Sequence, residues 1–223
     1  MTSRAAVSKP RAWRPVYSTV RARAKRKDMH VLAPDESRVV LLLIDVINDL
    51  SFPEADALLR FALPMAGRLR ALKRRARRAG IPAVYVNDNF GRWRSDFAAL
   101  IEHCEKSRGK KLTRLLRPCR DDYFVLKPKH SGFYSTTLEV LLQNIGASRL
   151  IVTGIATNIC VLFTANDAYM RDFDVTIPAD CVAANTAEES ERALDLMKRI
   201  LKADVRSSSE IRFGRAQRKR RPA

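Results

Sequence analysis

The chain alternates between continuous apolar runs and apolar stripes spaced three and four residues apart. RVVLLLID (38–45) is apolar without polar alternation, the pattern of a strand covered on both faces. After it, Leu58, Ala62, Met65, Leu69, Leu72 and Ala76 recur at helical spacing, so residues 58–79 predict an amphipathic helix with a kink or restart at Pro64. Gly80 ends that stripe, and PAVYVND (82–88) predicts a second buried strand. Residues 95–117 read as a surface helix and YFVLK (123–127) as a third strand. Thr136 with Glu139 has the form of a capping box, opening a helix that carries Leu138, Leu141, Leu142 and Ile145 and stops at Gly146. SRLIVTG (148–154) is a fourth strand, residues 155–172 lead into a helix, and FDVTIPAD (173–180) is a fifth strand. Thr186 with Glu189 forms another box, ahead of a helix whose Ala193, Met197 and Ile200 face inward; ADVRS (203–207) is a last short strand.

Strands alternating with helices of this length specify an α/β domain: three layers, α/β/α, around a mostly parallel sheet of about six strands. The 223 residues suffice for one large domain. Charge then divides the chain further. Residues 1–30 hold nine Lys and Arg against one acid, and residues 212–223 hold six and none, so the two ends carry +14 of the total +18. We therefore expect an extended basic arm over 1–37, the α/β domain over 38–207 and a disordered basic tail over 208–223. The acid-poor, Arg-rich start also has features of an organellar transit peptide, but no amphipathic stripe accompanies it.

Four cysteines without a CxxC pair give neither a disulfide framework nor a structural zinc site, and VVLLLI (39–44), the longest purely apolar run, is far too short for a membrane span. The expectation is a soluble cytoplasmic protein without a cofactor or metal.

In open α/β sheets, ligands bind beyond the carboxyl ends of the strands. There the first strand ends in Asp45, the second in Asn87, Asp88 and Asn89, and the third in Lys127; the fourth ends in Gly154, six residues before Cys160. A carboxylate, an ammonium and a thiol can therefore meet over one edge of the sheet. A helix N-terminus and a nearby lysine both favour thiolate over thiol, and Asp45 is placed to take the thiol proton and return it to a leaving amine.

Five segments carry a resemblance: LLLIDVINDL (41–50), YVND (85–88), LKPKHSGFYSTTLEVLL (126–142), IVTGIATNICVLFTANDAYMRDFDVTIPAD (151–180) and the following CVAANT. On these the chain resembles the isochorismatase-like cysteine hydrolases, the superfamily that includes nicotinamidases and N-carbamoylsarcosine amidase. The resemblance implies a Rossmann-like hydrolase fold, with Asp45, Lys127 and Cys160 as catalytic residues. It also implies a cis peptide between Ile155 and Ala156, and an oxyanion hole from the backbone N–H groups of Ala156 and Cys160. The implied activity is cleavage of an amide or carbamoyl bond in a small molecule, and a homo-oligomer is the implied assembly.

The chain departs from the nicotinamidase pattern where an Asp-x-His would hold metal, since Asp88, Asn89 and Phe90 stand there. Ile47 likewise replaces the glutamine of the family's Asp-x-Gln. Asn87, Asp88, Phe90, Trp93 and Phe133 are candidate substrate contacts, although packing explains Trp93 and Phe133 equally well. Lys129 and His130 read as loop residues near the site, His103 as solvated, and Cys104, Cys119 and Cys181 as structural thiols. Two alternatives stay open: a vinyl-ether hydrolase of the isochorismatase type, which needs no thiol, and a binder of nucleic acid or acidic surfaces on a silent fold. Nonspecific nucleic-acid contact through the basic ends is compatible with each reading.

Overall fold

The computed structural model describes residues 35–91 and 96–214. Its sheet consists of β1 (Val39–Ile44), β2 (Ala83–Asp88), β3 (Tyr123–Lys127), β4 (Arg149–Ile155), β5 (Asp174–Thr176) and β6 (Val182–Ala183). The strand order is β3-β2-β1-β4-β5, with β6 also paired to β4, and every pairing is parallel. Successive side chains of a strand point to opposite faces, so Leu41 and Leu43 enter one core layer while Val40, Leu42 and Ile44 enter the other. The first layer lies under α1 (Ala55–Arg78), α2 (Phe97–Glu105) and α3 (Lys110–Leu115). The second lies under α4 (Leu138–Ile145), α5 (Leu162–Tyr169) and α6 (Ala187–Ile200). This is the expected three-layer α/β/α arrangement.

The six stripe residues of α1 are all buried, and the helix runs through Pro64 without restarting. Other local expectations give way to tertiary contacts. The surface helix expected over 95–117 breaks between α2 and α3. Thr136 and Glu139 form no capping box: the Thr136 hydroxyl donates to the Gly132 carbonyl at 2.6 Å, and Glu139 pairs with Arg171 at 2.9 Å. Thr186 and Glu189 do form the expected box. Ile200 is 59% exposed and does not face inward. The sixth strand is Val182–Ala183, beside the end of β4, whereas ADVRS contributes only an isolated bridge between Asp204 and Thr176. Two residues are too few for a strand period to show in a sequence. Packing continues past residue 207: the Ser208 N–H and hydroxyl both donate to Asp180, and Ile211 is buried.

The chain leaves β1 through α1 toward β2 and β3, then crosses back by α4 to β4 on the other side of β1. The topological switch, where such sheets open a crevice, therefore lies between β1 and β4. Gly154 allows the two strands to meet there. Its φ is +114°, and a Cβ at that position would stand 2.1 Å from the Ile44 carbonyl oxygen. Gly154→Ala is expected to lower stability by more than about 1 kcal/mol, read as a reduced urea midpoint, because both the backbone angle and the contact exclude a side chain. An unchanged midpoint would show that the strands part at no cost.

Candidate active site

Asp45 is the first residue beyond β1. Its backbone N–H still donates to Val86 O at 2.9 Å, but its φ of 52° turns the chain out of the strand, a conformation Asp tolerates better than most residues. The carboxylate is buried. Oδ1 accepts from the Asp88 N–H at 2.6 Å and Oδ2 from Lys127 Nζ at 2.8 Å.

Lys127 ends β3, two strands away, opposite Asp88 in the register. Neighbouring strands lie about 4.8 Å apart, so only a long side chain spans β2 to reach the end of β1. Its stem is fully buried. Nζ donates to Lys129 O at 3.1 Å, lies 3.6 Å from Asp88 Oδ2, and lies 3.5 Å from Cys160 Sγ.

Cys160 arrives from β4. The Ile155–Ala156 peptide is cis, and Thr157–Val161 form one π-helical turn leading into α5. The Ala156 carbonyl accepts from the N–H groups of Ile159 and Val161, both at 3.1 Å. First-turn amides of a helix lack carbonyl partners of the regular ladder, which makes this turn a place where N–H groups can serve a ligand. His130 Nδ1 lies 3.9 Å from Sγ on its outer side, with the His130 ring 5.5 Å from that of Phe163. The loop carrying His130 is pinned from below: Gly132 N–H donates to Thr164 Oγ1 at 3.0 Å, and the Ser131 hydroxyl donates to Asp167.

Burial raises the Asp45 pKa, and the Lys127 charge with the hydrogen bonds opposes that rise without cancelling it. Burial works against the ammonium of Lys127, yet Asp45, then Cys160 and Asp88, hold its pKa above the ordinary lysine value. For Cys160, burial and then the Asp45 charge push the thiol pKa up, against the pull of Lys127. Burial and the Asp45 charge thus favour thiol over the expected thiolate, beside the Lys127 ammonium. The combination can transfer the thiol proton to Asp45 as sulfur attacks an electrophile.

The other sequence candidates separate by strand parity. Asp88 shares a face with Val84 and Val86 and joins the Lys127 cluster. Asn87 points to the opposite layer with Ala83 and Tyr85, is fully buried, and donates from Nδ2 to Ile47 O at 2.6 Å, which holds the loop after β1. Phe133 is also a packing residue, its ring 4.8 Å from the Arg171 guanidinium and 6.1 Å from Phe173. Phe90, at φ 50°, packs partly against the α1-side core, and Trp93 lies outside the described residues. His103 is not merely solvated but sits 3.0 Å from Asp49. Cys104 is fully buried, and burial pushes the Cys181 thiol up to about 12. Among the described residues no His, Cys, Asp or Glu group of three or more is gathered for a metal, and no helix is long and apolar enough to cross a membrane. The contact sequence reasoning left out is His130 with Cys160; its only signal was a histidine three residues beyond Lys127.

The Isochorismatase domain family matches residues 39–210. The isochorismatase family protein YaaI of Bacillus subtilis (strain 168) is 41% identical over 171 residues, which is 77% of this chain and 94% of that protein. The isochorismatase of the same organism is 31% identical over 170 residues, 73% of this chain and 53% of that protein. Among solved structures, N-carbamoylsarcosine amidase from Thermoplasma acidophilum superposes with a TM-score of 0.61 at 28% identity, covering 78% of this chain and 99% of that one.

Replacing Lys127 by Met keeps the stem and removes the charge. It leaves the Asp45 carboxylate buried without its cation, so Lys127→Met is expected to cost about 3–5 kcal/mol of stability at pH 8. The loss should shrink toward acid. Asp45 already titrates above its unfolded value, and the variant raises it further; the penalty is full above the folded pKa and fades as pH falls through it. Urea unfolding between pH 5 and 8 reads this directly, and a loss independent of pH would mean Asp45 is not the group left exposed to burial.

Proposed function

The chain belongs to the isochorismatase family of hydrolases, and from that premise we propose that it is a cysteine hydrolase cleaving an amide or carbamoyl C–N bond of a small molecule through a thioester on Cys160. The observation that carries this reading is Cys160 Sγ at 3.5 Å from Lys127 Nζ, itself 2.8 Å from Asp45 Oδ2. A vinyl-ether hydrolysis has no use for a sulfur so placed.

In the proposed cycle the Cys160 thiol proton passes to Asp45 while Sγ bonds to the substrate carbonyl carbon, and the carbonyl π pair moves onto oxygen. The N–H groups of Ala156 and Cys160 hold that oxyanion. The oxygen pair then re-forms the carbonyl, the C–N bond breaks, and Asp45 returns the proton to the departing amine. Water attacks the thioester, giving a proton to Asp45; the C–S bond breaks and sulfur recovers that proton. The net reaction adds one water to one C–N bond. Lys127 stays protonated throughout, orienting Asp45 and facing the sulfur as negative charge develops there. His130 and the half-exposed Phe163 stand on the solvent side of Cys160, where the substrate enters.

A second reading follows from the 31% identical isochorismatase: vinyl-ether cleavage in which Asp45 and Lys127 act and Cys160 does not. One experiment separates them. Carboxamides, N-carbamoyl compounds and isochorismate are assayed with the untreated protein, after thiol alkylation, and with Cys160→Ala. We expect amide or carbamoyl turnover that falls at least about 1,000-fold in Cys160→Ala, with kcat/KM declining as pH drops through an Asp45 pKa above the ordinary carboxylate value. Isochorismate turnover that survives both treatments would establish the second reading instead.

A further inference from the structure

At the opposite end of the sheet, beside the start of β2, a groove of about 320 Å³ opens between α1 and the end of α3. Arg70, Arg74 and Arg77 rise on one wall, Arg114 and Arg117 on the other, and Leu115 and Leu116 lie between them. The carboxylates touching these walls are already engaged, Asp122 by Lys73 and Glu105 by Arg117. Arg70, Arg74 and Arg114 are exposed and face the groove with no anionic partner among the described residues. Three guanidinium groups from two helices thus share one cleft without a countercharge among the described residues.

We propose that this groove binds the phosphodiester backbone of a nucleic-acid strand, independently of base sequence. Arg70, Arg74 and Arg77 fall at steps of four and three on one helix face. The step of seven residues from Arg70 to Arg77 spans about 10 Å at a rise of 1.5 Å per residue, so the three guanidinium groups form an extended row rather than a single point of charge. Guanidinium is the planar fork that phosphate oxygens pair with best. Among the described residues no aromatic ring lines the groove to stack a base, so the contact proposed is to the backbone. An extended polyanion is favoured over a small phosphate compound because five arginines line the groove, and counterion release sums over every phosphate neutralised. The groove is remote from Cys160, so binding and hydrolysis are separable.

The test is fluorescence anisotropy of a labelled single-stranded oligonucleotide titrated with the full chain between 50 and 200 mM salt, in about four steps. Each lost contact lowers the slope of log affinity against log salt by about 0.7, so Arg70→Gln/Arg74→Gln/Arg114→Gln should lower it by about 2. Replacing the same three by Lys keeps the charge and should keep the slope, which separates lost contacts from lost folding. A control removing three charges from α6, Arg192→Gln/Lys198→Gln/Arg199→Gln, should leave the slope as it was. The proposal fails if the Gln variant keeps the wild-type slope or if the α6 control loses as much. It also fails if inorganic polyphosphate binds the groove and the oligonucleotide does not displace it.

Discussion

A fully buried ammonium is the constraint around which this fold closes. Removing a lysine head group from water costs several kcal/mol unless anions and carbonyl oxygens replace the hydration. Lys127 Nζ finds them in three different segments: Asp45 beyond β1, Asp88 at the end of β2, and the Lys129 carbonyl in the turn after β3. Each segment is bent accordingly. Asp45 turns out of its strand at positive φ, its carboxylate anchored a second time by the Asp88 N–H, and the chain after Lys127 doubles back within two residues. The remaining open side of the ammonium faces the switch between β1 and β4, and Cys160 occupies it.

That arrangement explains why thiol is favoured over thiolate at Cys160. A thiolate beside Asp45 would put two anions, and with Asp88 three, around one cation in a buried setting. Burial and the Asp45 charge therefore raise the thiol pKa although the ammonium is 3.5 Å away. In the proposed cycle Asp45 is the base, and sulfur becomes nucleophilic as its proton moves there. Sites that hold a preformed thiolate instead place a cation beside sulfur without a competing carboxylate. The positive end of the first helical turn acts in the same sense as Lys127, against burial and the carboxylate.

Much of this was legible in the sequence wherever burial on both faces wrote a continuous apolar run or a clean stripe. β1 to β4 and α1 were read within a few residues, and Asp45, Lys127 and Cys160 stood out as polar breaks after apolar runs or at the start of a helix. What failed depended on contacts made far along the chain. Asn87 and Asp88 look equivalent as residues ending a strand, yet parity sends one to the α1 side, against Ile47 O, and the other to Lys127. The Thr136 and Glu139 motif was outcompeted by Gly132 and Arg171, partners no local pattern announces. His130 comes within 3.9 Å of the thiol because Thr164 and Asp167 hold its loop down onto α5, a constraint written 34 and 37 residues further on.

The arginines of α1 raise the converse question, since the core does not require them. The helix needs its buried stripe, and any soluble residue serves on the outer face. Arg75, Arg77 and Arg78 have a structural reason, because cations in a last turn complement the helix dipole, and Arg75 also donates to Ser208 and Ile211 carbonyls. Arg70 and Arg74 lie before that turn. As like charges four residues apart they cost the helix about 0.2–0.5 kcal/mol, and they face Arg114 across the cleft with no acid between them among the described residues. Stability would favour a carboxylate at any one of the three positions. A cluster that folding opposes and the candidate active site does not use is best accounted for by an anion brought from outside.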